Sequence, residues 1–160
     1  MVFGKELIID ADDCKGNITD KDYIDFYKIL EKNLKERHNN NPTHNLDELL
    51  IFKNQLGEYQ SLYLAKEEEN ILGGVLVIKV TKNCWYTFYI SKNIDYSTPN
   101  NCSIPFIMKN ITLDARKDNV KYLDYGITTE EMGNILNEGL SNFKEESLCG
   151  IANFRYNFYL

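Results

Sequence analysis

The feature that most constrains this 160-residue chain is a change of hydrophobic period near residue 58. Before it, Tyr23, Phe26, Tyr27, Leu30 and Leu34 recur at the spacing of one helix face, and Leu46, Leu49, Leu50 and Leu56 mark a second. After it, residues 59–66, 71–80 and 84–91 are β-type runs separated by short polar turns. Two helices followed by an antiparallel meander point to layers of helix on sheet.

Local chemistry sets the element ends. Asp20 and Asp22 precede the first helical pattern, Lys35 and Arg37 close it, and both pairs suit the helix dipole. Asn39-Asn40-Asn41-Pro42 stops it. Asn45 and Glu48 stand at capping-box spacing before the second helix, and Gly57 is a natural C-cap. Gly73-Gly74 inside the middle strand predicts a bulge or a close approach. The loop 95–103 feeds a third helix with Ile104, Ile107, Met108, Ile111 and Ala115 facing inward and Pro105 in its first turn.

Residues 119–150 then read as strand, turn and helix. Lys121 to Tyr125 form the strand and Gly126 ends it. Thr128 and Glu131 form a capping-box pair, and Met132, Ile135, Leu136, Gly139, Leu140 and Phe143 share one helix face. Gly133 and Gly139 each cost such a helix about 1 kcal/mol, which predicts a close approach by backbone or ligand. Leu7-Ile8-Ile9 is expected as a first strand and residues 151–160, which alternate cleanly, as a last one. The expected order is β–α–α–β–β–β–α–β–α–β: an α/β fold with a largely antiparallel sheet covered by helices, in one domain.

A net charge of −6 with no basic stripe disfavours DNA as a partner. No run is apolar enough to span a membrane, and no signal-peptide pattern opens the chain, so a cytoplasmic protein is expected. Cys14, Cys84, Cys102 and Cys149 form no CxxC pair and are expected as reduced, mostly buried thiols. His38 and His44 are too few and too widely spaced for a zinc site.

The element order resembles the GNAT acyltransferase fold. A series of short motifs resembles the Fem-like branch, related to peptidoglycan aminoacyl transferases, in its C-terminal GNAT domain. The motifs are Arg37-His38, Pro42-Thr43-His44 with the helix 46–50, Asp124-Tyr125-Gly126-Ile127-Thr128, Asn137-Glu138-Gly139-Leu140 and Lys144-Glu145. Members of that branch tend to carry two GNAT-like halves, so the resemblance implies either an upstream GNAT-like domain or a genuinely short relative.

The resemblance implies N-acyl transfer from acetyl-CoA or another acyl-CoA to an amine of a small molecule or peptide. The acidic charge disfavours the aminoacyl-tRNA donor of the Fem-type enzymes. In this fold the strands here expected at 85–91 and 121–125 splay to admit the donor, and the loop bearing His38 and His44 borders the acceptor, so these histidines are candidate substrate contacts. Asn101, Cys102 and Ser103 at the start of the third helix are candidate diphosphate ligands through free N–H groups, against an ordinary N-cap. Asp124, Glu138 and Tyr125 are candidate catalytic groups, against a turn cap, a solvated helix face and a sheet tyrosine. The chain lacks the family's Gly-rich phosphate loop and has no tyrosine between Thr129 and Lys144. A non-catalytic GNAT-like ligand- or partner-binding module is therefore the alternative.

Overall fold

The computed structural model describes residues 18–96, 102–130 and 133–148. These fall into two compact units, one up to Asp124 and one from Tyr125. The strands expected at 7–9 and 151–160 lie outside the described residues.

In the first unit, helix α1 (Asp20–His38) opens on a complete capping box between Thr19 and Asp22 and closes on Asn39 in the left-handed conformation. Helix α2 (Leu46–Leu56) opens on the expected Asn45–Glu48 box and closes at Gly57, where φ is +50°. Strands β1 (Gln60–Glu67), β2 (Asn70–Thr81) and β3 (Cys84–Lys92) form the antiparallel meander. Helix α3 (Ser103–Lys117) crosses over to β4 (Tyr122–Asp124), which pairs parallel with β3 at the edge of a four-stranded sheet.

Strand alternation divides the core between two faces. On one, Leu62, Leu64, Ile71 and Leu76 pack with Tyr23, Phe26 and Leu30 of α1 and Leu49 of α2. On the other, Ile104, Ile107, Met108, Ile111 and Ala115 of α3 are buried, as their spacing predicts, and Asp114 accepts a 3.1 Å hydrogen bond from the Tyr63 hydroxyl. Each fully buried aliphatic or aromatic side chain contributes about 1.5–3 kcal/mol by leaving water.

The glycine pair of β2 serves both expected purposes. The β1–β2 ladder slips between Ala65 and Lys66, leaving Leu72 as the extra residue. A Cβ on Gly74 would stand 2.5 Å from the Phe26 ring, and one on Gly73 would stand 2.9 Å from Ser103 Oγ. Both positions need a residue without a side chain.

The second unit corrects the sequence reading. Thr128 caps no helix. Thr129–Glu130 (β5) and Ile135–Leu136 (β6) form a two-stranded antiparallel hairpin, with Gly133 at φ +98° in its turn. Helix α4 (Glu138–Leu148) begins later, where Asn137 Oδ1 accepts the Leu140 N–H at 2.8 Å. Among the described residues no backbone approaches the two glycines closely: a Cβ on Gly133 would meet Thr129 Oγ1 at 3.9 Å and one on Gly139 would meet Asn137 Oδ1 at 3.7 Å. Lys144 is buried and donates to the carbonyls of Gly126 and Ile127 at 2.9 and 2.8 Å, fixing the loop after β4. Of the thiols expected to be mostly buried, Cys84 is half-buried and Cys102 exposed, and Cys14 and Cys149 lie outside the described residues.

Candidate active site at the open edge of β3

Strand β3 reads Cys-Trp-Tyr-Thr-Phe-Tyr-Ile-Ser-Lys, rich in the aromatic and β-branched residues that favour a pleated surface. Its parallel ladder with β4 consists of Cys84↔Tyr122, Trp85↔Leu123 and Tyr86↔Asp124, and then stops. The buried Thr87 hydroxyl donates to the Asp124 carbonyl at 3.1 Å and closes the ladder. Beyond it β3 runs on to Lys92, and no described strand pairs with it on that side.

The same place carries a distortion. Leu76 pairs with Tyr89 and Val77 with Thr87, so Phe88 is an extra residue in β3. Such bulges bend a strand and re-aim its side chains. In a regular strand consecutive side chains point to opposite faces. Here the rings of Phe88 and Tyr89 lie 4.6 Å apart, and both pack against the cluster of α1 and α2.

His44, in the loop just before α2, completes this aromatic group. Its ring lies 5.3 Å from Phe52, 5.3 Å from Phe88 and 6.2 Å from Tyr89. Two polar contacts hold it: Tyr89 Oη accepts the His44 N–H at 3.2 Å and hydrogen-bonds the ring Nδ1 at 3.1 Å. The Tyr86 ring stands 6.0 Å from Phe88 and extends the group toward β4. Burial, then the charge of Asp124 and then Tyr89, raise the Tyr86 phenol above its ordinary value. Burial and then Asp124 likewise hold Cys84 as a thiol. Tyr27 on α1 is raised by burial, then by Glu31, Tyr89 and Glu48. These phenols keep their protons at neutral pH.

The first unit thus brings Asp124 and His44 to strand β3, one at the close of its ladder and the other against its bulge. Asp124 is exposed. Tyr125, half-buried, and Glu138, exposed in the first turn of α4, belong to the second unit. His38 is the last residue of α1, not a loop residue. Asn101 lies outside the described residues. Cys102 occupies the N-cap of α3 without a side-chain cap bond, and Ser103 is buried with its hydroxyl donating to the Leu72 carbonyl at 3.3 Å. Pro105 has no N–H, so the first turn of α3 offers an anion only the amides of Ser103 and Ile104.

Tyr86, Phe88 and Tyr89 escaped the sequence reading. The signal available for them was the adjacent pair Phe88-Tyr89, which breaks the alternation of buried Trp85 and Thr87. A cavity of about 230 Å³ lies elsewhere, near the start of β3, where Lys79 stacks over Trp85 at 4.8 Å and pairs with Asp118 at 3.7 Å. Among the described residues no group of three His, Cys, Asp or Glu side chains is placed to hold a metal, and no helix is long and apolar enough to cross a membrane.

No protein-family model and no curated protein sequence matches the chain. Solved structures do. The possible acetyltransferase from Clostridium difficile 630 aligns with a TM-score of 0.62 at 12% identity, covering 89% of this chain and 92% of that one. The ribosomal-protein-alanine N-acetyltransferase from Brucella melitensis biovar Abortus 2308 aligns at 0.55 and 14% identity, covering 89% and 96%. An aminoglycoside acetyltransferase from an uncultured soil metagenomic sample, in complex with sisomicin, aligns at 0.58 and 11% identity, covering 89% and 92%. At these identities the likeness shows the fold: the mixed, largely antiparallel sheet flanked by helices is that of the GNAT acetyltransferases.

Proposed function

We propose that this chain is an N-acyltransferase that moves an acyl group from acetyl-CoA or another acyl-CoA to an amine of a small molecule or peptide. The observation that carries the reading is the early end of the β3–β4 ladder, closed by Thr87, beyond which β3 has no strand partner on that side among the described residues, in a fold shared with acetyltransferases. An arm bearing amide groups can add to such an edge as a further strand. Main-chain N–H groups along it can polarise a thioester carbonyl. The range of acceptors named among the similar structures, aminoglycoside and ribosomal-protein alanine, supports an amine acceptor of unspecified kind.

In this reading Asn101, Cys102 and Ser103 hold the diphosphate, and Asp124, Tyr125 and Glu138 are the polar catalytic or positioning groups. His38 and His44 border the acceptor, and both compact units belong to one domain. The motif series from Arg37 to Glu145 supports placement in the Fem-like branch, with acyl-CoA in place of aminoacyl-tRNA.

The reduced set of N–H donors before Pro105 and the lack of a tyrosine between Thr129 and Lys144 favour the second reading, a non-catalytic binding module. Thermal melting against acetyl-CoA separates the two. A ligand at a hundred times its dissociation constant stabilises by about 2.7 kcal/mol. A flat melting temperature up to millimolar acetyl-CoA sinks the transferase; a shift without transfer to any of a panel of amines supports the module.

A further inference from the structure

We propose that His44 is a catalytic residue of this site, a neutral imidazole whose Nε2–H donates to the carbonyl oxygen of the bound thioester, with Tyr89 as the residue that fixes its tautomer. The inference rests on the acyl-CoA reading above.

The geometry around Tyr89 Oη is the basis for the tautomer proposed. The phenol oxygen accepts the His44 main-chain N–H at 3.2 Å and lies 3.1 Å from Nδ1 of the same residue. A phenol offers one hydrogen and lone pairs that accept. In the proposed arrangement the phenol donates that hydrogen to Nδ1, the acceptor placed beside it, while it accepts the amide. All three groups are then satisfied, and the ring hydrogen sits on Nε2. That atom has no hydrogen-bond partner among the described residues.

The surroundings suit a donor of this kind. Rings of Phe52, Phe88 and Tyr89 close in on the imidazole and limit the water that competes for its hydrogen bond. Phe88, whose ring lies 5.3 Å from that of His44, is the bulged residue of β3, immediately past the point where β4 stops pairing. A preorganised donor aimed at a developing oxyanion in such a place accelerates the step by about 10²–10³. A neutral imidazole serves this role in other enzymes.

The test uses the full chain and acetyl-CoA carrying a ¹³C label at the acetyl carbonyl. The chain has two histidines, so ¹⁵N-histidine spectra of the wild type and of a His38→Gln control assign His44. The Nε2–H tautomer is expected, and a mixture in Tyr89→Phe. The bound acetyl carbonyl should show a lowered stretching frequency in the wild type, partly kept in His44→Gln, whose amide can still donate, and lost in His44→Phe. Turnover should fall by roughly 10²-fold in His44→Phe. The KM for acetyl-CoA should stay within about twofold, as for an interaction made in the transition state.

An Nδ1–H tautomer in the wild type overturns the proposal, as does an unchanged carbonyl frequency in His44→Phe with acetyl-CoA bound. If His44→Phe fails to fold, the tautomer and the carbonyl frequency of Tyr89→Phe decide by the same criteria. Failure of the wild type to bind acetyl-CoA overturns the acyl-CoA reading and this proposal with it. Normal binding and turnover with an indifferent His44 overturns this proposal alone.

Discussion

Asp22, in the first turn of α1, accepts the ammonium of Lys66 on β1 while it also takes the main-chain and hydroxyl hydrogens of Thr19 at 2.8 Å. Burial pushes its carboxyl up, but these hydrogen bonds outweigh burial and bring it down to about 2, from an ordinary value of 3.8. The folded-state value lies below the unfolded one. The contribution to stability is therefore complete above about pH 4 and is lost as pH falls through about 2. Because the Lys66 end is partly exposed, the full shift is discounted to about 1–2 kcal/mol. Urea unfolding of Asp22→Asn should show that loss at pH 7 and a flatter acid limb between pH 4 and pH 2. An acid limb parallel to that of the wild type would refute the assignment.

Two glycines should respond to alanine in opposite ways. At Gly74 the new Cβ would meet Phe26 at 2.5 Å and Leu64 at 2.8 Å. Overpacking of this kind costs about 1–3 kcal/mol, a fall of several degrees in Tm. At Gly139, within α4 and exposed, the new methyl would meet only open space and an ordinary contact. Gly139→Ala should raise stability by a few tenths to about 1 kcal/mol through helix propensity. Equal losses at both positions would contradict the described backbone.

Lys144→Met keeps the length of the buried side chain and removes its ammonium. The carbonyls of Gly126 and Ile127 then lose the donor seen at 2.9 and 2.8 Å. The cost expected is about 1–3 kcal/mol. Hydrogen exchange of amides in the 125–130 loop should speed up selectively. Unchanged protection there would show that the lysine does not fix the loop.

Asp124→Asn tests the strand-end carboxylate as a working group in acyl transfer. Its main-chain carbonyl accepts from Thr87, a bond that survives the substitution. Turnover should fall by roughly 10²-fold or more in a variant that still melts cooperatively. Undiminished transfer would remove Asp124 from the chemistry.

The first two helices and the meander were legible because their signals are local. A capping box at Asn45–Glu48, a helical stripe from Tyr23 to Leu34 and a switch to β-type runs all lie within a few residues of what they specify. The region after β4 misled because a capping-box spacing also fits a hairpin. Ile135 and Leu136 suit either period, and Gly133-Asn134 could equally turn a chain. The deciding cap was Asn137. His44 could be marked from the motif series, but its tie to Tyr89 joins residues 45 positions apart. The adjacent pair Phe88-Tyr89 marks the bulge, but no pattern along the chain names His44 as its neighbour. Asp124 stands out in the sequence as a strand-end carboxylate, whereas Tyr86, its neighbour in the ladder, looks like any sheet tyrosine.

The adjacent glycines of β2 face different helices: Gly74 meets Phe26 of α1, and Gly73 meets Ser103 and Ile104 of α3. At that point nothing but one layer of main chain separates the two helical layers. In a suppressor screen, then, two neighbouring lesions should have disjoint sets of second-site revertants. Smaller residues at Phe26 or Leu64 would relieve a substitution at Gly74, while changes at Ser103 or Ile104 would relieve one at Gly73. The genetic map of this strand would split between successive codons along the same line that divides the core.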